Sequence, residues 1–140
     1  MRDSKIAYNN GTKGTLQLNI TPQYACSNKC TFCYITEALK EKPTSYEQRA
    51  KTSLFLPTPL STNEILTAIK KQRKIRNPKE ISFIGLGEPL LEFNLVNDTI
   101  KNLRRNNYKG RISLETNGQV KCWYEDEPAE KLKNPDLTLH

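Results

Sequence analysis

The stretch ACSNKCTFCY, residues 25–34, places three of the four cysteines of the chain within eight residues, in the spacing C-x3-C-x2-C. Three thiolates on one short loop can converge on one face of an iron–sulfur cube and leave its fourth iron without a protein ligand. An iron without a protein ligand is reactive. The stretch therefore predicts a metal centre held by Cys26, Cys30 and Cys33.

Two other interpretations of the same cysteines stay open. One is a disulfide pair with a spare thiol, and the other is a zinc site completed from a distance by Cys122 or His140. Disulfide scaffolds prefer an even, dispersed set of cysteines in a secreted chain, and structural zinc usually takes its ligands as two separated pairs. The unequal gaps favour the cluster. With zinc, the chain would instead be a non-catalytic metal-binding module whose basic surface contacts RNA.

Two further stretches follow the cysteines. They are GLGEPLL at residues 85–91 and ETNG at residues 115–118. In this order, and with Phe32 directly before Cys33, the three stretches resemble those of the radical S-adenosylmethionine (radical SAM) superfamily, whose corresponding segments are GGEP and T-x-G or TNG. Leu86 stands where the family pattern has glycine, so no subfamily is assigned. Taken alone, residues 85–89 are also compatible with an ordinary turn.

The resemblance implies a [4Fe-4S] cluster on Cys26, Cys30 and Cys33, with the fourth iron chelated by S-adenosylmethionine. One electron, from a donor such as flavodoxin or ferredoxin, would cleave the cofactor to a 5′-deoxyadenosyl radical, which would take hydrogen from an unknown substrate. RNA and protein are both candidate substrates. The cofactors carry this chemistry while the protein orients and shields it.

The resemblance also implies roles for residues outside the cysteines. The backbone of Gly87, Glu88 and Pro89 would hold the methionine amino group. Phe32 would lie beside the adenine, and two residues of the third stretch would lie near the cofactor. These two are Thr116 and Asn117. No catalytic residue is assigned beyond the cluster; Cys122 is interpreted as non-ligating and His140 as incidental.

The periodicity of the chain predicts an α/β fold. Strands are expected at 16–20, 80–84 and 111–115, and helices from the capping box at Ser61 to about Arg76 and over 93–106. Shorter helices are expected at 34–42 and 129–134, and a fourth strand at 136–140. Helical crossovers between strands force a parallel sheet, so the three motif loops should emerge at one end of it.

For the whole chain, the resemblance implies the amino-terminal portion of a radical SAM core, a partial TIM barrel of βα repeats. A complete barrel takes about 250 residues, so 140 residues leave only three to four βα units. We therefore expect a missing carboxy-terminal segment or a second subunit. Within residues 1–140, the expected parts are a leader at 1–14, the first strand and cluster loop at 15–34, and βα units at 61–140.

Residues 43–60 are expected to form an insertion between these parts. The insertion carries scattered charges and two prolines, and it shows no clean period. It could form a lid over the site, or a surface connection that packs Leu54, Phe55 and Leu56 on the core. The sequence favours the surface connection.

The composition indicates a folded chain with a basic surface. The shares of hydrophobic (36%) and charged (26%) residues argue against disorder as the main state. The net charge of +7 suits an anionic partner such as RNA. The densest basic run, residues 70–76, nevertheless favours a solvated helix face over an RNA-binding surface, because no aromatic residues alternate with its basic ones. No apolar run approaches the roughly 20 residues that span a bilayer. We therefore expect a cytoplasmic protein without membrane contact.

Overall fold

A mostly parallel sheet is the frame of the molecule in the computed structural model, which describes residues 3–9, 14–25, 55–75, 77–84, 87–116 and 137–139. Within these residues the sheet has five strands, which lie side by side in chain order. They are β1 (Ala7–Tyr8), β2 (Thr15–Leu18), β3 (Glu80–Phe83), β4 (Arg111–Leu114) and β5 (Leu137–Leu139). β1 is antiparallel to β2, and β2 to β5 are parallel.

Three helices accompany the strands in the described part of the chain: α1 (Asp3–Ile6), α2 (Thr62–Ile75) and α3 (Phe93–Arg105). Two short 3₁₀ helices, Pro22–Tyr24 and Pro89–Glu92, follow β2 and β3. The limits of α2 and α3 agree with the sequence prediction within one residue. α1 and both 3₁₀ helices were not predicted, because none of them is long enough to show a hydrophobic period.

The predicted capping box at the start of α2 is confirmed. The backbone N–H of Glu64 donates to the hydroxyl oxygen of Ser61 (3.3 Å), and the N–H of Ser61 donates to the Glu64 carboxylate (2.9 Å). Both groups would otherwise lack partners in the first turn of the helix. The box fixes the start of α2 at Thr62, two residues after the buried Leu60.

The two faces of the sheet differ in polarity. On one face the apolar residues of β2, β3 and β4 belong to a single core with those of α2 and α3. On the other face, Gln17, Ser82 and Ser113 stand at matched positions of the three strands. The residues of the main core include Leu16, Leu18, Ile81, Phe83, Ile112 and Leu114 from the strands, and Ile65, Ala68, Ile69, Leu95, Val96, Ile100 and Leu103 from the helices.

The predicted α/β fold and its parallel strands are thus confirmed for the described residues, and β5 confirms the expected fourth strand. Membership of a TIM barrel stays a prediction. The expected helices at 34–42 and 129–134 lie outside the described residues. No helix in the described ranges is long and apolar enough to cross a membrane.

Residues 55–60, the end of the expected insertion, include buried apolar side chains, as expected for a surface connection that packs on the core. Phe55 and Leu56 are buried, and Leu56 belongs to the main core. This burial confirms the packing predicted for these two residues, while Leu54 lies outside the described part. The apolar side chains thereby attach residues 55–60 to the sheet just before α2 begins.

Candidate functional site

The three motif stretches follow three neighbouring parallel strands. Residues 19–25 follow β2, residues 87–92 follow β3, and residues 115–116 follow β4. Backbone hydrogen bonds continue past the strand ends, from Ile84 N–H to the Leu18 carbonyl (3.3 Å) and from Glu115 N–H to the Phe83 carbonyl (3.1 Å). The carboxyl edge of a parallel sheet is where α/β proteins place their ligands. The described parts of all three stretches lie at this edge, as predicted.

The first two stretches are in direct contact. The backbone N–H of Glu88 donates to the carbonyl oxygen of Ala25 (2.9 Å), the residue directly before Cys26. Gly87 has a φ of +97°, and a Cβ at this position would lie 2.8 Å from the Ala25 oxygen and 2.8 Å from Cγ2 of Thr21. Only glycine combines this backbone conformation with so close an approach. Gly87 therefore allows the turn after β3 to lie against the beginning of the cysteine loop.

The second and third stretches are joined through the carboxylate of Glu88. Oε1 of Glu88 accepts a hydrogen bond from the hydroxyl of Thr116 (2.7 Å) and another from the backbone N–H of Leu90 (3.0 Å). The Glu88 side chain is only 2% exposed. The bond to Leu90 also caps the 3₁₀ helix Pro89–Glu92. One oxygen atom thus connects the end of β4 to the turn after β3, and we call this arrangement the Glu88 clasp.

A further set of hydrogen bonds holds residues 22–25, which lead into the cysteine loop. Gln23 lies in the left-handed region (φ +51°), where its N–H donates to the Leu56 carbonyl (2.8 Å) and its side-chain amide donates to the Pro57 carbonyl (3.2 Å). Ala25 N–H in turn donates to the Pro22 carbonyl (3.1 Å). The expected insertion therefore supports the chain segment that leads into the cysteines.

Of the predicted site residues, the structure describes Gly87, Glu88, Pro89 and Thr116. The cysteines at 26, 30 and 33, Phe32 and Asn117 lie outside the described residues, and so do Cys122 and His140. Within the described ranges, no group of three or more His, Cys, Asp or Glu residues could hold a metal. The ligand roles assigned from the sequence stay predictions.

The chemistry of the donor set fits an iron–sulfur cluster. Three thiols within eight residues can bind three irons. The loop that carries them follows Ala25, whose carbonyl accepts a hydrogen bond from the N–H of Glu88. This proximity is what the resemblance requires of the second stretch.

Sequence reasoning missed the residues that support the site. The bonds of Gln23 to residues 56 and 57 and the bond from Glu88 N–H to the Ala25 carbonyl hold the loops together, and no motif in the sequence predicted either contact. Only the glycines at positions 85 and 87, in the stretch that follows the strand expected at 80–84, indicated a close backbone approach.

One acidic group beside the site has a shifted pKa. Burial raises the pKa of the Glu92 carboxyl above its ordinary value of 4.5, since the surrounding protein removes water from the charged form. Glu92 ends the 3₁₀ helix that the Glu88 clasp caps. Glu88 and Glu92 therefore lie in different surroundings: the Glu88 carboxylate accepts hydrogen bonds from Thr116 and Leu90, whereas the Glu92 carboxyl is partly desolvated.

Comparison with known proteins agrees with the motifs. A family model described as the radical SAM superfamily matches residues 20–139. A dual-specificity RNA methyltransferase RlmN from Buchnera aphidicola subsp. Schizaphis graminum is 35% identical over 107 residues. The match covers 74% of this chain but only 27% of that enzyme. No solved structure matches the chain.

Proposed function

The chain belongs to the radical SAM superfamily, and on this basis we propose that it binds a [4Fe-4S] cluster and S-adenosylmethionine at the carboxyl edge of its sheet. The observation that supports the proposal most is the contact of the three motif stretches through Ala25, Glu88 and Thr116. When bound, the two cofactors supply a one-electron cleavage of S-adenosylmethionine to a 5′-deoxyadenosyl radical. The electron comes from a reduced donor such as flavodoxin or ferredoxin.

The residues of this chain have distinct tasks in the proposal. Cys26, Cys30 and Cys33 ligate the cluster, and Phe32 lies beside the adenine. The backbone of residues 87–89 binds the methionine amino group, while Thr116 and Asn117 line the same side. Because Gly87 lacks a Cβ, the turn can approach both the cysteine loop and the cofactor.

RNA is the substrate class that a specific observation favours. The relative from Buchnera is an RNA methyltransferase by name, and the chain carries a net charge of +7. Lys70 and Arg73 border a groove of about 500 Å³ between α2 and α3, which offers positive charge to phosphates. RNA binding that weakens as salt rises, and weakens further in Lys70→Glu, would support this second candidate.

Metal identity is the experiment that separates catalysis from a structural zinc site. After anaerobic reconstitution, the proposal predicts iron and sulfide in equal amounts and a brown protein with a visible charge-transfer band. One tightly held zinc in a colourless protein would overturn it and favour the non-catalytic module.

A further inference from the structure

The carboxylate of Glu88 faces the protein interior. Its side chain is 2% exposed, and Oε1 accepts hydrogen bonds from the Thr116 hydroxyl at 2.7 Å and the Leu90 N–H at 3.0 Å. Hydrogen bonds to an ionised acceptor are about twice as strong as neutral ones. Glu88 therefore holds together two chain segments that are 28 residues apart in the sequence.

Two roles are compatible with a glutamate in this turn. As a direct ligand, its carboxylate would pair with the ammonium group of S-adenosylmethionine. As a positioning residue, it would fix the backbone around it and leave ligand binding to the backbone. The observed burial and the two internal donors on one oxygen favour the second role, because a direct ligand has to present its charge to the site.

We infer that Glu88 is a positioning residue for S-adenosylmethionine, which acts through Thr116 and Leu90 and does not contact the cofactor with its carboxylate. This inference rests on the proposed function. The Glu88 clasp holds the turn at residues 87–89 against β4, while the bond from Glu88 N–H to the Ala25 carbonyl holds the same turn against the cysteine loop. The binding surface is thereby shaped before the cofactor arrives.

A double-mutant cycle tests the inference in the reconstituted full chain, with S-adenosylmethionine affinity measured by calorimetry. Thr116→Val removes the hydroxyl while keeping the shape of the side chain, and it should weaken binding about tenfold, the effect of losing one hydrogen bond to a charged group. Glu88→Ala should cost less affinity in the Thr116→Val background than in the wild type. Coupling of this kind is expected when one residue acts through the other.

Two further variants separate the clasp from general damage to the fold. Thr116→Ser keeps the hydroxyl and should restore most of the affinity. Thr99→Val is the matched control, because the fully buried Thr99 hydroxyl also donates one hydrogen bond, to the Leu95 carbonyl within α3 (2.7 Å). It should leave the affinity for S-adenosylmethionine within about twofold of wild type.

Hydrogen exchange provides a measurement without the cofactor. The Leu90 amide should exchange faster in Glu88→Ala than in the wild type, because its acceptor is removed. An unchanged exchange rate would show that the clasp does not form.

The outcomes distinguish the inference from the function on which it rests. If Glu88→Ala lowers the affinity for S-adenosylmethionine equally in both backgrounds, and Thr116→Val alone leaves that affinity unchanged, Glu88 is a direct ligand. This result would overturn the positioning role but not the proposed function. A reconstituted wild type that does not bind S-adenosylmethionine would overturn the proposed function, and the positioning role with it.

Discussion

The two ends of the sheet are held by different kinds of interaction. At the amino-terminal end, the bonds join neighbouring strands and helix ends around one buried aromatic ring, Tyr108, which is 3% exposed. At the carboxyl end, the bonds join the three motif stretches to one another through Ala25, Glu88 and Thr116. The same sheet thus has one end built around packing and another that shapes a site, a division expected of parallel α/β proteins.

The Tyr108 region shows how the amino-terminal end is closed. The Tyr108 hydroxyl donates to the Pro78 carbonyl (3.3 Å), and Arg104 donates to the carbonyls of Tyr108 and Gly110 at 2.8 and 2.7 Å. The guanidinium groups of Arg73 and Arg104 lie 5.2 and 5.8 Å from the ring centre. Burial raises the pKa of the Tyr108 hydroxyl, and both arginines act against that shift. None of these contacts involves a motif stretch.

The largest effect is expected at the carboxyl end. Replacing Cys26, Cys30 or Cys33 individually by Ala should abolish the cluster, since a cube held by three thiolates has no spare ligand. Cys122→Ala is the control and should retain iron and sulfide at the wild-type level. An equal loss of iron in Cys122→Ala would contradict the open-iron site and indicate a cluster with four cysteine ligands.

At the amino-terminal end the largest effect should be on stability alone. Tyr108→Ala should lower the free energy of unfolding by about 3–5 kcal/mol, the usual cost of removing a buried aromatic side chain. Tyr108→Phe, which loses only the hydroxyl, should cost about 1 kcal/mol. Urea denaturation measures both values.

Iron content per folded molecule is the complementary measurement for the two Tyr108 variants. It should stay at the wild-type level, because the ring lies at the end of the sheet away from the contacts of Ala25, Glu88 and Thr116. Loss of the cluster in Tyr108→Phe, with stability nearly unchanged, would mean that the two ends are not independent.

Alanine substitutions at Gly14 and Gly87 compare the two ends of the sheet directly. Gly14 and Gly87 both have positive φ, at +85° and +97°, so alanine at either position is strained by roughly 1–2 kcal/mol. A Cβ at Gly14 would have 3.9 Å to its nearest neighbour, Lys79, whereas at Gly87 it would lie 2.8 Å from the Ala25 oxygen. Gly87→Ala should therefore be the more destabilising of the two in urea, and it alone should reduce cluster assembly. Similar losses in both variants would contradict this account of the loop contact.

Local patterns in the sequence predict much of the frame. The capping box at Ser61 and the apolar spacing of Leu95, Val96, Ile100 and Leu103 place α2 and α3, because both signals lie within one helix. Strands β3 and β4 follow from short apolar runs between turn signals. The shared edge of the motif stretches follows from helical crossovers between these strands.

The bonds that build the site could not be predicted in the same way. Thr116 and Glu88 meet only because β3 and β4 pair in one register, in which Phe83 stands opposite Leu114. Gln23 occupies a backbone conformation that glutamine rarely adopts, and its partners at residues 56 and 57 come from the expected insertion. Such contacts depend on the assembled fold, which no local pattern encodes.

The smallest expected effect is a pH dependence at the carboxyl end. The folded-state pKa of Glu92 lies above its ordinary value of 4.5, so the folded state retains this proton to higher pH than the unfolded state does. The free energy of unfolding should fall as the pH rises from 4.5 through the folded-state pKa. Glu92→Gln should remove this part of the dependence. Urea titrations of both proteins between about pH 4 and 7 test the sign, and equal curves would show that burial does not affect this group.

The most direct test of the central claim is the electron paramagnetic resonance spectrum of the reduced cluster before and after S-adenosylmethionine is added. In the proposed function one iron lacks a protein ligand and is chelated by S-adenosylmethionine, so the cofactor should change the coordination of this iron and shift the spectrum. A spectrum that stays the same at saturating S-adenosylmethionine would contradict the claim that the three motif stretches form a cofactor site.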